Sequence, residues 1–347
     1  MMIHTKGDLQ QMQSLPLSVK ILMTKRRIRE WYDYWDGQVY ISFSGGKDST
    51  VLLHIARELY PDIEAVFVNT GLEYPEIQSF VKTFDNVTIL RPKMRFDEVI
   101  KTYGYPMISK ETSQDIYDAR KNPLSRAASK FDENSEYVKK YGTRYCLSKW
   151  KPILDSDIPI SHKCCNVMKK KPAKEFEKRT GKKPILATMA SESNLREKIW
   201  MMNGCNAFNS KRATSQPLSF WTEQDVLQYI KENNIPIASV YGDVVYKEDS
   251  DQMRIEDYGI EGCGTEKLCT TGCNRTGCIF CAFGAHLEKG ESRFEQLKRT
   301  HPKQYDYCMG GGAYDTDGLW KPTKDGLGFR HCFDVHNSIY GENFIKY

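Results

Sequence analysis

The stretch Ile41–Leu59, ISFSGGKDSTVLLHIAREL, sets two glycines, a lysine and an aspartate between two apolar runs. The run leading into it, Gln38-Val39-Tyr40-Ile41-Ser42-Phe43, is rich in β-branched and aromatic residues, which favour a strand. The run that follows carries Val51, Leu52, Ile55, Ala56 and Leu59 at helical spacing. Strand, tight turn and helix are therefore expected here. Glycines at such a turn let successive backbone N–H groups converge on an anion, and a helix starting near Asp48 adds its positive end. Ser44, Ser49 and Thr50 offer hydroxyls and Lys47 a point charge, so the turn suits a phosphate. The pattern is neither G-x-x-x-x-G-K-[ST] nor G-x-G-x-x-G. A plain Gly-Gly turn with a Lys-Asp-Ser helix cap would use the same residues.

Working outward, Ile63–Thr70 (IEAVFVNT) and Asn86–Leu90 (NVTIL) read as further strands, with a helical stretch from Pro75 to Phe84 between them. Strands alternating with helices imply an α/β fold with a parallel sheet. Pro184–Ala190 (PILATMA) reads as a later strand of that sheet. Thr222 followed three residues on by Asp225 predicts a capped helix bearing Val226, Leu227 and Ile230, stopped by Pro236. Residues Ser109–Trp150 are polar and weakly periodic, as expected of a helical insertion or lid. Beyond about Ala238 the chain becomes irregular, with Gly and Cys dense from Gly259 to Gly284. The expected organisation is an N-terminal helical segment (1–37), an α/β domain (38–237) with a basic helical insertion at about 109–180, and a Cys-rich C-terminal region (238–347).

No apolar run approaches the roughly 20 residues of a membrane span, and the first twenty residues lack a signal-peptide apolar region. A cytoplasmic location, away from membranes, is expected by default. The net charge of +5 is unevenly placed: Lys101–Lys183 holds twenty Lys/Arg against ten Asp/Glu, so the rest of the chain is net acidic. Such a segment can meet nucleic acid, a polyanionic nucleotide or an acidic protein, or be a solvated surface.

Eleven cysteines in a chain of this class point to metal or redox chemistry rather than disulfides. Cys278-Ile279-Phe280-Cys281 is a C-x-x-C, preceded by Cys263, Cys269 and Cys273, and Cys164-Cys165 is a tandem pair. Either the pair or the local Cys269 and Cys273 can complete a Cys₄ set with Cys278 and Cys281, and such a set accepts iron–sulfur or zinc. The histidines form no metal spacing.

Ser44-Gly45-Gly46-Lys47-Asp48-Ser49 matches S-G-G-x-D-S, and with VNTGLEYPE (68–76), MASESNLREKIW (189–200) and QPLSFWTEQDVLQYI (216–230) it resembles the phosphoadenosine phosphosulfate (PAPS) reductase family. That family lies in the adenine nucleotide alpha-hydrolase-like superfamily, whose signature is the pyrophosphate (PP) loop. The resemblance spans roughly Gln38 to Gly284 and is to members common in bacteria, prophages and mobile elements. It implies a doubly wound, mostly parallel Rossmann-like sheet with a helical insertion and a small Cys-rich C-terminal subdomain. It further implies that Ser44, Gly45, Gly46, Asp48, Ser49, Asn69, Thr70 and Ser191 hold ATP or a sulfonucleotide (PAPS or APS), with Mg²⁺, and that Lys47, Asp48 and Arg196 act in catalysis. CCNVMKKKPAKEF (164–176) resembles the "CC-x-x-R-K-x-x-P" stretch of adenylyl-sulfate reductases, which implies a [4Fe–4S] cluster on Cys164, Cys165, Cys278 and Cys281 beside the nucleotide.

The family's activities are sulfonucleotide reduction and ATP-pyrophosphatase-driven sulfur transfer. Thioredoxin-dependent members carry their nucleophile in a C-terminal Glu-Cys-Gly-x-His, and the tail here, Phe329-Arg330-His331-Cys332-Phe333, departs from it. Cys332, flanked by two basic residues, is the tail thiol placed to substitute. Relatives that thiolate DNA or tRNA suggest a nucleic-acid partner for the basic middle, and a thiol electron donor fits a reductase. The alternative is a non-catalytic nucleotide-sensing or nucleic-acid-associated regulatory subunit, with a ParB-like partner.

Overall fold

The computed structural model describes residues 3–247 and 267–347. Cys263 lies outside the described residues. Six strands form the central sheet: β1 Val39–Ser42, β2 Ala65–Val68, β3 Val87–Leu90, β4 Lys183–Leu186, β5 Asn206–Ala207 and β6 Thr214–Ser215. Their order is β3-β2-β1-β4-β6-β5, all neighbours parallel except β5 against β6. This is the mostly parallel, doubly wound α/β sheet expected. Val39, Tyr40 and Ile41 of β1 are buried, because the central strand of a parallel sheet is covered on both faces.

Chain order runs outward from β1 in both directions, to β2 and β3 on one side and to β4 on the other. β1 is thus the topological switch point, and the turn at its carboxyl end opens where such sheets place ligands. The Lys47–Leu59 helix leaves that turn with Val51, Leu52, Leu53, Ile55 and Ala56 buried.

Two boundaries differ from expectation. β4 ends at Leu186 rather than Ala190, because the chain turns through a 3₁₀ segment at Ala190–Glu192 whose Glu192 carboxylate accepts the Met189 N–H. The helix from Pro75 stops at Val81, three residues short of Phe84.

Packing divides the described chain into two compact units. The first gathers the described residues within Met1–Asn69, Glu73–Leu90 and Ala173–Thr276, and so holds the whole six-stranded sheet. It also holds a hairpin of β7 Val244–Tyr246 and β8 Leu268–Thr270. The second gathers Thr70–Leu72, Arg91–Pro172 and Gly277–Tyr347. It is mainly helical, with a short hairpin of β9 Ala313–Tyr314 and β10 Trp320–Lys321. The Ser109–Trp150 stretch is helical as expected, yet it contributes core: Ile116, Phe131, Val138 and Trp150 are buried. Within this unit Arg120 donates to the carbonyls of Ile153, Leu154, Ser156 and Ile158, so one guanidinium satisfies four acceptors of an irregular turn. Among the described residues no helix is long and apolar enough to cross a membrane.

Candidate functional site

The turn after β1 is held by its own side chains. Ser49 Oγ accepts the Ser44 N–H at 3.1 Å and donates to the Gly46 carbonyl at 2.9 Å, while Thr50 Oγ1 donates to the same carbonyl at 3.0 Å. Ser44 Oγ lies 3.0 Å from Ser49 Oγ and accepts the Gly46 N–H at 3.3 Å. Gly45 sits at φ +73°, and a Cβ there would come within 2.8 Å of Ile77 and 2.9 Å of Val81, so only glycine fits. Gly46 caps the Lys47–Leu59 helix without a side-chain acceptor of its own, and the Lys47 N–H meets the Tyr241 hydroxyl.

Charged groups converge on this mouth within the first unit. Lys47 is 6% exposed, with Nζ 3.4 Å from Glu223 Oε1 and 5.3 Å from the centre of the Tyr241 ring. Burial pushes the Asp48 carboxyl above the usual carboxylate range; Lys47, Arg275 and Arg196 oppose that shift, and Glu223 adds to it. Arg196 pairs with Glu192, and Arg275 Nη2 lies 3.5 Å from the other oxygen of the same carboxylate. Burial, with Arg275 beside it, holds the Arg196 guanidinium below its ordinary range. Tyr241 hydrogen bonds Thr276 across the turn, and burial pushes its hydroxyl up to about 12.

Of the residues expected from sequence, Ser44, Gly45, Gly46, Lys47, Asp48 and Ser49 form the turn itself, and Arg196 senses the Asp48 charge. Ser191 Oγ is 3.5 Å from the Trp221 carbonyl, on the 3₁₀ segment that carries Glu192. Asn69 continues β2, its N–H bonded to the Leu90 carbonyl at 2.8 Å. Thr70 falls in the second unit, where its Oγ1 accepts the Leu72 N–H at 3.2 Å. Sequence reasoning gave no part in this site to Glu192, Glu223, Tyr241, Arg275 or Thr276. Only Glu192 left a local signal, its i,i+4 spacing from Arg196.

Cys164, Cys165, Cys278 and Cys281, the other expected set, all fall in the second unit. Cys164 donates its thiol proton toward Cys165 Sγ at 3.9 Å and senses the charges of Cys281 and Cys278. That hydrogen bond brings the Cys165 thiol down to about 6, against burial and with help from Lys110, Lys169 and Lys170, while Cys164 is held up. Burial pushes the Cys281 thiol up, and Cys165 is among the charges it senses. The pair precedes a π-helical turn at Asn166–Lys170, and Cys281 closes a turn on the Cys278 carbonyl at 3.0 Å. Among the described residues, no three His, Cys, Asp or Glu side chains are grouped closely enough to hold a single metal ion. Cys269 and Cys273 belong to the first unit, on or next to β8.

Cys332 does not fill the role its neighbours suggested. It is fully buried, its thiol directed at the Gly328 carbonyl at 3.7 Å, and burial raises its pKa well above that of an ordinary thiol. On the Phe329–Tyr340 helix it shares a face with the buried Phe329, Phe333 and His336, whereas the adjacent His331 turns to Asp157, Nε2 to Oδ2 2.9 Å.

Among curated proteins, the chain is 23% identical over 257 residues to sulfate adenylyltransferase subunit 2 of Shewanella frigidimarina, covering 68% of this chain and 74% of that one. It is 23% identical over 250 residues to the protein of that name from Acinetobacter baylyi, covering 67% and 72%. An uncharacterized protein of Methanocaldococcus jannaschii is 31% identical over 128 residues, only 35% of this chain and 28% of that one. A solved structure of PAPS reductase from Candida auris, in complex with phosphate, aligns over 75% of this chain and 95% of that one at 14% identity and a TM-score of 0.36. Residues 38–144 and 127–283 match the phosphoadenosine phosphosulfate reductase domain. By that match, which takes in the turn, the sheet and the four cysteines, the chain belongs to the PAPS reductase domain family.

Proposed function

We propose that the 44–49 turn binds the phosphate chain of an adenine nucleotide, ATP or a sulfonucleotide such as PAPS or APS, in a sulfonucleotide-processing enzyme. One observation carries this: a helix start with no side-chain cap from its N-cap residue adjoins a buried lysine whose ammonium meets one half-exposed carboxylate at 3.4 Å and the face of the Tyr241 ring. Such a site has donors to spare for an anion. Lys47, Arg196 and Arg275 supply positive charge, Asn69 continues the strand next to β1, and Ser191 lies on the 3₁₀ segment that follows β4. Asp48 and Glu223 are oxygen donors of the hard type Mg²⁺ takes, which suits a metal-bound phosphate chain.

Of the two family reactions, cleavage of ATP is favoured. Reduction of a bound sulfonate needs a mobile thiolate, and Cys332 is sealed in the core of the second unit. The relatives named sulfate adenylyltransferase subunit 2 point the same way. In this reading an acceptor oxygen attacks the α-phosphorus, the bond between the α-phosphorus and its bridging oxygen breaks, and pyrophosphate leaves. Lys47 and the turn's N–H groups stabilise the charge that develops on the leaving group.

The four thiols Cys164, Cys165, Cys278 and Cys281 are the proposed ligands of a [4Fe–4S] cluster. Their chemistry fits: an all-thiol set beside Lys110, Lys169 and Lys170 offsets the negative charge of a thiolate-bound cluster. A cluster distributes its ligands over separate irons, so it does not need the tight shell of about 2.3 Å that zinc requires. When bound, such a cluster supplies one-electron chemistry or holds the second unit together.

Isothermal titration with ATP and with PAPS, alongside a pyrophosphate-release assay, tests the proposal. Saturable heat with ATP, lost in Lys47→Met, is expected, together with pyrophosphate release. Heat without turnover would indicate a nucleotide-sensing subunit, and no heat with either ligand would remove the nucleotide reading. Iron and sulfide analysis of anaerobically purified protein, repeated for Cys165→Ser, tests the cluster.

A further inference from the structure

Residues 121–151 of the second unit hold eight Lys/Arg against three Asp/Glu, and they carry three tyrosines that the nucleotide site does not use. The Glu136–Tyr141 helix starts on Ser135, whose Oγ accepts the Val138 N–H at 3.2 Å. Val138 is buried, and Tyr137 and Tyr141, four residues apart, stand together on another face with ring centres 4.7 Å apart. Gly142, at φ +96°, ends the helix, and the Thr143–Tyr145 3₁₀ turn folds Tyr145 back to 6.5 Å from Tyr137. Tyr141 is 49% exposed and Tyr145 39%. Each ring has a cation beside it: Arg126 at 5.5 Å from Tyr137, Lys140 at 5.4 Å from Tyr141 and Arg144 at 4.7 Å from Tyr145. Of the three nearby acids, Glu133 accepts the Ser148 hydroxyl at 2.6 Å.

We infer that this surface binds single-stranded nucleic acid, with Tyr141 and Tyr145 as stacking faces and Arg126, Lys140 and Arg144 as phosphate contacts. A surface built only for acidic protein would need the cations and not the rings. Grooves that track a single strand combine both, because every base has a π-face and every nucleotide a phosphate. A duplex keeps its bases stacked on one another, so it can use the cations alone.

Fluorescence anisotropy of labelled 15-mers, as single-stranded RNA, single-stranded DNA and duplex DNA, tests this without nucleotide present, so failure here is separable from failure of ATP binding. Single strands are expected to bind more tightly than duplex, and the RNA and DNA arms show which sugar is preferred. Tyr141→Ala/Tyr145→Ala should weaken single-strand binding by about tenfold per ring, with thermal unfolding unchanged. Tyr141→Phe/Tyr145→Phe should restore it, since the rings and not the hydroxyls stack. Arg126→Gln/Lys140→Gln/Arg144→Gln should reduce the slope of log affinity against log salt by about two, at roughly 0.7 per phosphate contact. No saturable single-strand binding at 50 mM salt, tighter binding to duplex, or equal loss in the Phe and Ala variants would overturn the inference.

Discussion

Lys20 and Lys47 are both nearly excluded from water, at 2% and 6% exposure, and both face the first turn of the Glu223–Glu232 helix. Their surroundings differ. The Lys20 ammonium donates to the Gln13 carbonyl at 2.6 Å and to both Asp225 oxygens at 2.8 and 2.7 Å, three protons for three acceptors. Asp225 in turn completes a capping box with Thr222. Lys47 reaches one oxygen of Glu223 at 3.4 Å, and that carboxylate is half exposed. A buried charge must be paired, so the saturated lysine is part of the scaffold, while the loosely held one keeps donors for an incoming anion. Burial alone therefore does not mark a functional group; an incomplete set of partners does.

The largest expected effect is on the saturated pair. Lys20→Met leaves Asp225 buried without its cation and should cost about 3–5 kcal/mol, read from urea unfolding, with ATP affinity of the folded fraction retained. A loss under about 1 kcal/mol would erase the contrast between the two lysines. Gly45→Ala forces a side chain into the left-handed region and against Ile77 and Val81, at a cost of order 1–3 kcal/mol, and should abolish the ATP heat. Lys47→Met should leave the unfolding midpoint nearly unchanged, because Glu223 stays solvated, yet weaken ATP binding at least about tenfold, the effect of a charge-assisted hydrogen bond. Smallest is Glu223→Gln, which removes a competitor for the ammonium; with Mg²⁺ withheld, ATP binding should tighten a few-fold at low salt, and the gain should vanish at high salt.

What was legible in the sequence follows the range of the interactions involved. The turn was readable because its residues are contiguous and its bonds run between residues two to five apart, as Ser49 to Ser44 and Ser44 to Gly46 show. The Thr222–Asp225 cap was readable for the same reason. Glu223 meeting Lys47 depends on packing between distant helices, and Tyr241 meeting Thr276 on the pairing of β7 with β8, and no local pattern encodes either. Spacing left two Cys₄ sets open and the family resemblance chose Cys164, Cys165, Cys278 and Cys281; Cys164 senses the charges of the other three. Cys332 misled because flanking charge in sequence is not flanking charge on a helix, where residues three and four apart are the neighbours.

Between Glu223 and Asp225 sits Gln224, whose amide both donates to the Leu268 carbonyl at 3.0 Å and accepts the Leu268 N–H at 2.8 Å. Three consecutive side chains thus hold Lys47 of the glycine turn, Leu268 of the β7–β8 hairpin and Lys20, like a three-way coupling. Anything that draws Lys47 away from Glu223 pulls on the same helix start, which makes the Leu268 amide a natural hydrogen-exchange reporter of whether the loop is filled.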